Sequence, residues 1–418
     1  MATFNESESL KNLAMTAQGV ATDRFPLLSV VMPTRNRFQY AQYSIRSILD
    51  IRSDEIELVV QDSSDTHELG DWLADNVRDQ RLRYQYTIPP VTMTENHNLA
   101  LAAAQGTYVC LIGDDDSVLS GVMDVAEWAH VENLDAVSST VPVSYYWPDF
   151  RHWSKGSSLG GLIYSKRFTG AVTAVDSREA LAACCRRPGS GTGILPRLYH
   201  GLVRRDCLAS FPGASSQAFL AGASPDMYGA AMIAMECPRA VVLDWPITLP
   251  GSSGGSASGR SGMHTHVGTL TQEPQTMRYA AAHEWPVVVP GFFSVETVWA
   301  ESLWEALEHA GRTDLMSVFG YQWLYGACLV QHPTFARTVL GGLAAASRQQ
   351  DNLLTWDVAR VLGSVLVIAF SEASRILRSV AATVREDGLS LGGSDISAAA
   401  RVVEHSLQGR LPSLCHVT

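Results

Sequence analysis

The chain has 418 residues, 46% hydrophobic and 17% charged, a balance that suits a globular protein with a large core and room for two domains. A net charge of −11, with lysine only at Lys11, Lys155 and Lys166, argues against a nucleic-acid-binding surface but leaves room for a local basic pocket that holds a nucleotide diphosphate. The seven cysteines form no C-x-x-C pair, Met1 to Thr22 has no apolar signal core, and the longest apolar run, Val361 to Phe370, is too short to cross a bilayer; a reducing, cytoplasmic setting without a membrane span is expected.

Residues 1–24 read as a flexible segment. Leu27 to Met32 then forms a short apolar strand stopped by Pro33, and Asn36 is placed to cap a helix reaching Asp50. A strand at Glu57 to Gln61 closes in Asp62-Ser63-Ser64-Asp65. A helix from Glu68 to Val77, a strand at Leu82 to Tyr86, a Pro89-Pro90 loop and a helix from Thr94 to Ala104 follow. The next strand, Tyr108 to Ile112, runs into Gly113 and three consecutive aspartates, Asp114, Asp115 and Asp116. A helix from Val118 to His130 and a strand from Ala136 to Thr140 complete the series. Such alternation means βαβ units on a mainly parallel sheet.

Right-handed crossovers bring three polar strand ends to one rim: Pro33 to Arg37, Asp62 to Asp65, and the aspartates. Carboxylates this close repel one another unless a cation or donor compensates them. Mg2+ or Mn2+ shared with substrate phosphates is one answer; the other is that the acids only complement the dipole of the helix that follows. No G-x-G-x-x-G or G-x-x-x-x-G-K-[ST] stands at the first turn, which disfavours dinucleotide oxidoreductases and P-loop enzymes.

Residues 141–170, with Tyr145-Tyr146-Trp147-Pro148, read as an aromatic insertion. Leu198 to Val203 reads as a strand, Ser224-Pro225-Asp226 opens a helix to about Met235, and Ala240 to Asp244 is another strand. Beyond a Gly/Ser-rich stretch, Gly251 to Gly262, and about residue 269, the chain is mainly helical: Val295 to Ala310, Leu315 to Gln331, Phe335 to Arg348, Leu353 to Ala382 and Ile396 to Gln408. That region is expected to shape an acceptor pocket or a homodimer interface.

Four segments in series resemble the family 2 glycosyltransferases: Ser29 to Arg37, Val59 to Asp65, Glu95-Asn96-His97-Asn98-Leu99-Ala100, and Gly106-Thr107-Tyr108 leading to Gly113-Asp114-Asp115-Asp116. The resemblance implies an α/β fold, a GT-A (Rossmann-like) nucleotide-sugar-binding domain with a mostly parallel central sheet, followed by the helical C-terminal region. Its halves would be residues 25–140 for the nucleotide sugar and 141–268 for the acceptor. It further implies that Pro33, Thr34, Arg35, Arg37, Ser64 and Asn98 line the donor pocket, and that Asp62 accepts hydrogen bonds from base or ribose. Asp115 and Asp116 would hold a divalent metal on the diphosphate, with Asp114 facing ribose or sugar and His264 or His266 completing the metal shell. Asp226 falls where inverting members keep their catalytic base. The stretch 251–262 becomes either a lid that brings Arg260 to the diphosphate or a passive linker.

The function so implied is transfer of a sugar, with inversion, from a nucleoside-diphosphate sugar such as UDP- or GDP-sugar to an acceptor, a soluble small molecule of secondary metabolism being favoured over a glycan. In one respect the chain departs from the family: Gly113 stands where its first motif aspartate is usual. A metal-independent O- or S-glycosyltransferase relying on arginines is therefore the alternative, and a non-catalytic nucleotide-sugar-binding protein a second. A nucleotidyltransferase would carry glycines in the first loop, which Pro33 to Arg37 lacks.

Overall fold

In a computed structural model the described residues are 25–139, 143–153, 160–164, 168–273, 281, 283–381 and 395–407; the segment 1–24 expected to be flexible lies outside them, as do Thr140, Ala382 and Gln408 at the ends of expected elements. The first third alternates as β1 (Leu28–Thr34), α1 (Phe38–Leu49), β2 (Ile56–Asp62), α2 (Glu68–Asn76), β3 (Leu82–Tyr86), α3 (Met93–Ala103), β4 (Tyr108–Leu111), β5 (Ser117–Val118), α4 (Val122–Val131) and β6 (Ala136–Ser139). Then come β7 (Val143–Tyr146), β8 (Gly161–Tyr164), β9 (Val172–Ala174), α5 (Ser177–Arg186), β10 (Gly201–Arg204), α6 (Arg205–Leu208), α7 (Pro225–Glu236), β11 (Ala240–Leu243), β12 (Thr248–Leu249), β13 (Gly251–Ser252) and α8 (Ala257–Gly262). The remaining helices are α9 (Val295–His309), α10 (Thr313–Met316), α11 (Tyr321–Gln331), α12 (Ala336–Gln349), α13 (Leu354–Ala381) and α14 (Ile396–Leu407).

Eight strands form the central sheet in the order β3-β2-β1-β4-β10-β6-β11-β9. The β3 to β4 half is parallel throughout and β6 pairs parallel with β11, while β10 and β9 run antiparallel to their neighbours. Because β1 and β2 are covered on both faces, every residue in them is buried.

Pro33 does not stop β1. Pairing with β4 ends at Val31, so beyond it the strand has β2 alone as neighbour and a missing N–H is tolerated. Asn36 is not a helix cap either: it adopts φ +55°, its side chain bonds Asp65, and α1 starts behind Arg37. The helix expected from Val118 begins four residues later, because Ser117 and Val118 pair with β12. α3 does carry its own start signal, a capping box between Thr92 and Glu95.

One hydrophobic cluster runs from the sheet residues Val31, Val59 and Val109 through α5 and α7 into α9, α11, α12 and Val361 of α13. The helical region is thus packed on one face of the sheet as part of its core. α14 leaves the other C-terminal helices and packs with Tyr40, Leu119 and Trp147 beside α1.

Candidate active site

The three aspartates leave β4 at the carboxyl rim, and each is buried. The compensation that their crowding demands comes largely from protein groups. Asp114 accepts hydrogen bonds from Thr34 Oγ1 (2.6 Å) and Arg37 Nε (2.6 Å). Asp115 Oδ2 accepts from Ser253 Oγ (2.6 Å) and Ser253 N (3.1 Å) and lies 2.8 Å from Arg37 Nη2. Asp116 accepts from the Gly251 amide (2.7 Å), the Gly113 amide (2.7 Å) and Tyr199 Oη (2.8 Å). Burial still pushes Asp114 and Asp116 up to about 6 and raises Asp115, with Arg37 pulling the first two of the triplet the other way. For Arg37, burial opposes the charge, but Asp114 and Asp115 outweigh it and hold the guanidinium ionised.

The stretch 251–262 is built of short regular elements in this structure. Gly251 and Ser252 form β13, paired with β7, and residues 257–262 form α8. A Cβ on Gly251 would lie 1.7 Å from the Asp115 carbonyl oxygen, so only glycine lets this strand donate to Asp116. Gly113 is less constrained: a Cβ there would sit 3.0 Å from both Asp116 Oδ2 and Tyr199 Oη, so those side chains would have to give by a few tenths of an ångström.

Asp226 stands at the second position of α7, behind Pro225. The approach to it, residues 220–224, is fastened on two sides. Asn98 donates to the Leu220 carbonyl (2.9 Å) and accepts from its amide (2.8 Å), and Thr94 Oγ1 donates to the Gly222 carbonyl (2.9 Å). From α9, Glu301 accepts from Ala223 N and Ser302 Oγ from Ser224 N. Asp226 Oδ1 is buried without a hydrogen-bond partner. Burial, then the Asp116 charge, raises its pKa to about 6, and Arg197 draws it down.

Tyr199 and His200 complete the group and were not singled out by sequence. Tyr199 is held neutral by burial and by Asp116, Asp115 and Asp226. His200 has Nδ1 3.1 Å from Thr248 Oγ1 and Nε2 3.4 Å from Asp116; burial lowers its pKa to about 3, so the ring is neutral. Its φ of +59°, uncommon outside glycine, turns the chain into β10.

The remaining sequence candidates are dispersed or committed elsewhere. Asp62 is fully buried and its two oxygens accept from Ser64 N and Tyr84 Oη, so it serves its own turn and strand. Ser64 accepts from the Asn36 amide, Pro33 is buried in β1, and exposed Arg35 pairs with Asp65. Asn98, expected at the donor, holds the Leu220 loop instead. Arg260 is taken by Glu273 (2.6 Å), the nearer acid, rather than directed at the aspartates. His264 packs edge-on to Trp153, and His266 sits against Phe293 and Ser261.

Among the described residues no group of three His, Cys, Asp or Glu side chains is arranged to enclose a metal. Both oxygens of Asp116 are engaged by amides and Tyr199, whereas Asp115 Oδ1 accepts no hydrogen bond from a described residue. One open carboxylate oxygen suits a hard cation that takes its other ligands from diphosphate and water, not a protein cage.

The structure is thus a mixed α/β domain with a buried, hydrogen-bonded acidic rim at the carboxyl ends of its parallel strands. Residues 29–184 match the family model Glycosyl transferase family 2. It is 31% identical over 100 residues to an uncharacterized protein, MT1568, of Mycobacterium tuberculosis; the match covers 23% of this chain and 30% of that relative's length. Similar solved structures include S. aureus TarS 1–349 in complex with UDP-GlcNAc, with 16% identity and TM-score 0.44 over 83% of this chain and 91% of that one. S. aureus TarS itself aligns with 17% identity and TM-score 0.39 over 81% and 54%.

Proposed function

We propose that the chain transfers a sugar, with inversion, from a nucleoside-diphosphate sugar to a soluble small-molecule acceptor. The observation that carries this reading is Asp226: a half-buried carboxyl whose Oδ1 is buried without a partner, close enough to the aspartate rim to feel Asp116, and with a pKa near 6. Such a group is mostly ionised at neutral pH and matched to general-base work. The acceptor atom bonds to the anomeric carbon from the face opposite the diphosphate, its proton passes to Asp226, and the anomeric C–O bond breaks with its electron pair leaving on the diphosphate. Arg197, whose charge acts on Asp226, favours the ionised base. Thr34 and Arg37 keep the Asp114 and Asp115 carboxylates turned together beneath the donor.

Asp115 is the residue that would hold a divalent cation, and the chemistry such an ion supplies is stabilisation of charge on the leaving diphosphate. One observation favours the metal-independent alternative: Arg37 already bridges Asp114 and Asp115.

A thermal-shift panel of UDP, GDP and dTDP, with and without Mn2+, followed by turnover of the matching sugar donors, tests both points. One nucleotide should raise the unfolding midpoint, and Mn2+ should add to it only when that nucleotide is present. If no nucleotide binds and no donor is consumed, the reading fails. Turnover unchanged by EDTA would select the arginine-based form.

A further inference from the structure

α13 is built inside out. Its inner side buries Asp357, Val361 and Ile368. Asp357 accepts hydrogen bonds from Tyr321, Ser347 and Gln322, the last at 2.7 Å, which fastens the helix to α11 and α12. Its outer side exposes Trp356 (65%), Val358 (40%), Leu362 (59%), Leu366 (71%), Val367 (55%) and Phe370 (76%). At 3.6 residues per turn, the other positions between them on that half of the helix are Thr355, Ala359, Gly363 and Ala369. No charge stands on the outer half; Arg360 lies at its edge.

A surface helix normally turns polar residues to water, and one that is apolar all round is a buried helix. The six large side chains together expose an area on the order of 700 Å². That exceeds the roughly 300–600 Å² of the largest patch on a typical monomer and approaches the ~800 Å² each partner gives to a stable interface.

We propose that a second copy of this chain covers the face, α13 packing on its mate across a two-fold axis. A two-fold contact needs a self-complementary surface, and an uncharged apolar ridge meets that requirement without a matching charge pattern on a different partner. By length and composition Leu354–Glu372 is apolar enough to cross a membrane, with a mean hydropathy of 1.5. To do so it would have to unpair the buried Asp357 carboxylate. Lying on a bilayer is also disfavoured, since the outer face lacks the basic residues that hold interfacial helices to headgroups and the chain carries a net charge of −11. The proposal is independent of the glycosyl-transfer reading.

Sedimentation velocity of the full chain across low- to mid-micromolar concentrations should show a dimer. The double variant Leu362→Glu/Leu366→Glu should sediment as a monomer with the circular dichroism spectrum of the parent, because both side chains face solvent in the single chain. Phe370→Gln, a milder change, should weaken dimerisation at least tenfold. A parent that stays monomeric, or a Phe370→Gln protein that dimerises as tightly as the parent, overturns the proposal. So does co-flotation of the parent with phosphatidylcholine–phosphatidylglycerol vesicles as a monomer, which would assign the face to a bilayer.

Discussion

Replacing Asp226 by Asn removes a charge that the fold holds at a cost while keeping the shape of the side chain. Its folded-state pKa lies at about 6 against 3.8 for the ordinary group, so ionising it in the native protein costs roughly 2 pK units, or about 3 kcal/mol as an upper limit. The sign follows from linkage: a carboxyl whose folded pKa is raised binds its proton more tightly when folded. The parent therefore gains stability as pH falls from about 6 towards 3.8, and it bears the full cost above about 7. Asp226→Asn should accordingly unfold a few degrees above the parent at about pH 8, with the difference vanishing near pH 4. Sugar transfer by the variant should fall by about 10²–10⁴, the usual share of a general base. In the parent, kcat/KM should drop as pH falls through about 6. Thermal unfolding over a pH series, read beside a donor-turnover assay, checks both halves. A stability difference that does not change with pH would refute the electrostatic argument, and near-normal turnover by the variant would refute the role as base.

Arg37→Met leaves Asp114 and Asp115 buried with hydrogen bonds from Thr34 and Ser253 but no cation, so it should cost about 3–5 kcal/mol at neutral pH; chemical denaturation at about pH 5, where Asp114 takes up a proton, should show a smaller loss. Gly251→Ala places a methyl group 1.7 Å from the Asp115 carbonyl oxygen, so β13 must shift and release Asp116; nucleotide-induced thermal shift should be lost even where the protein still folds. Asn98→Ala breaks both bonds to Leu220 and should destabilise by roughly 2–3 kcal/mol, and because the loop leads to Asp226 it should lower kcat more than it raises KM for the donor. An Asn98→Ala protein with a large donor KM and normal kcat would restore the donor-binding role that its motif implied.

Much of the first third of the fold could be read from the chain because its information is local. Alternating apolar runs mark β1, β2 and β4, and the aspartates follow β4 without interruption, so their place at the rim follows from strand direction alone. Asp62, Asn98 and Arg260 show where that logic stops. Their residue types suit a donor site, but each has a protein partner in the fold: Asp62 takes the Ser64 amide in its own turn and Tyr84 from β3, Asn98 the Leu220 backbone, and Arg260 Glu273. Apart from Ser64, nothing in their sequence neighbourhood reports these partners.

Tyr199 and His200 escaped notice for a topological reason. In a parallel strand the functional residues follow the apolar run, whereas β10 enters the sheet antiparallel to β4, so its beginning reaches the rim. The pair therefore precedes β10, which starts at Gly201, and from the sequence looks like interior positions of a strand running from Leu198. Its hydrogen bonds run to Asp116 and Thr248, from either side of the Gly/Ser segment's entry. The same segment supplies Gly251 and Ser253 to Asp116 and Asp115. An acidic rim that reads as a cluster awaiting a metal is thus largely compensated by groups distant in sequence, and Asp115 Oδ1 and the Asp226 carboxylate are left without a hydrogen-bond partner among the described residues. Most of the triplet's carboxylate capacity is spent on holding the loops that surround it.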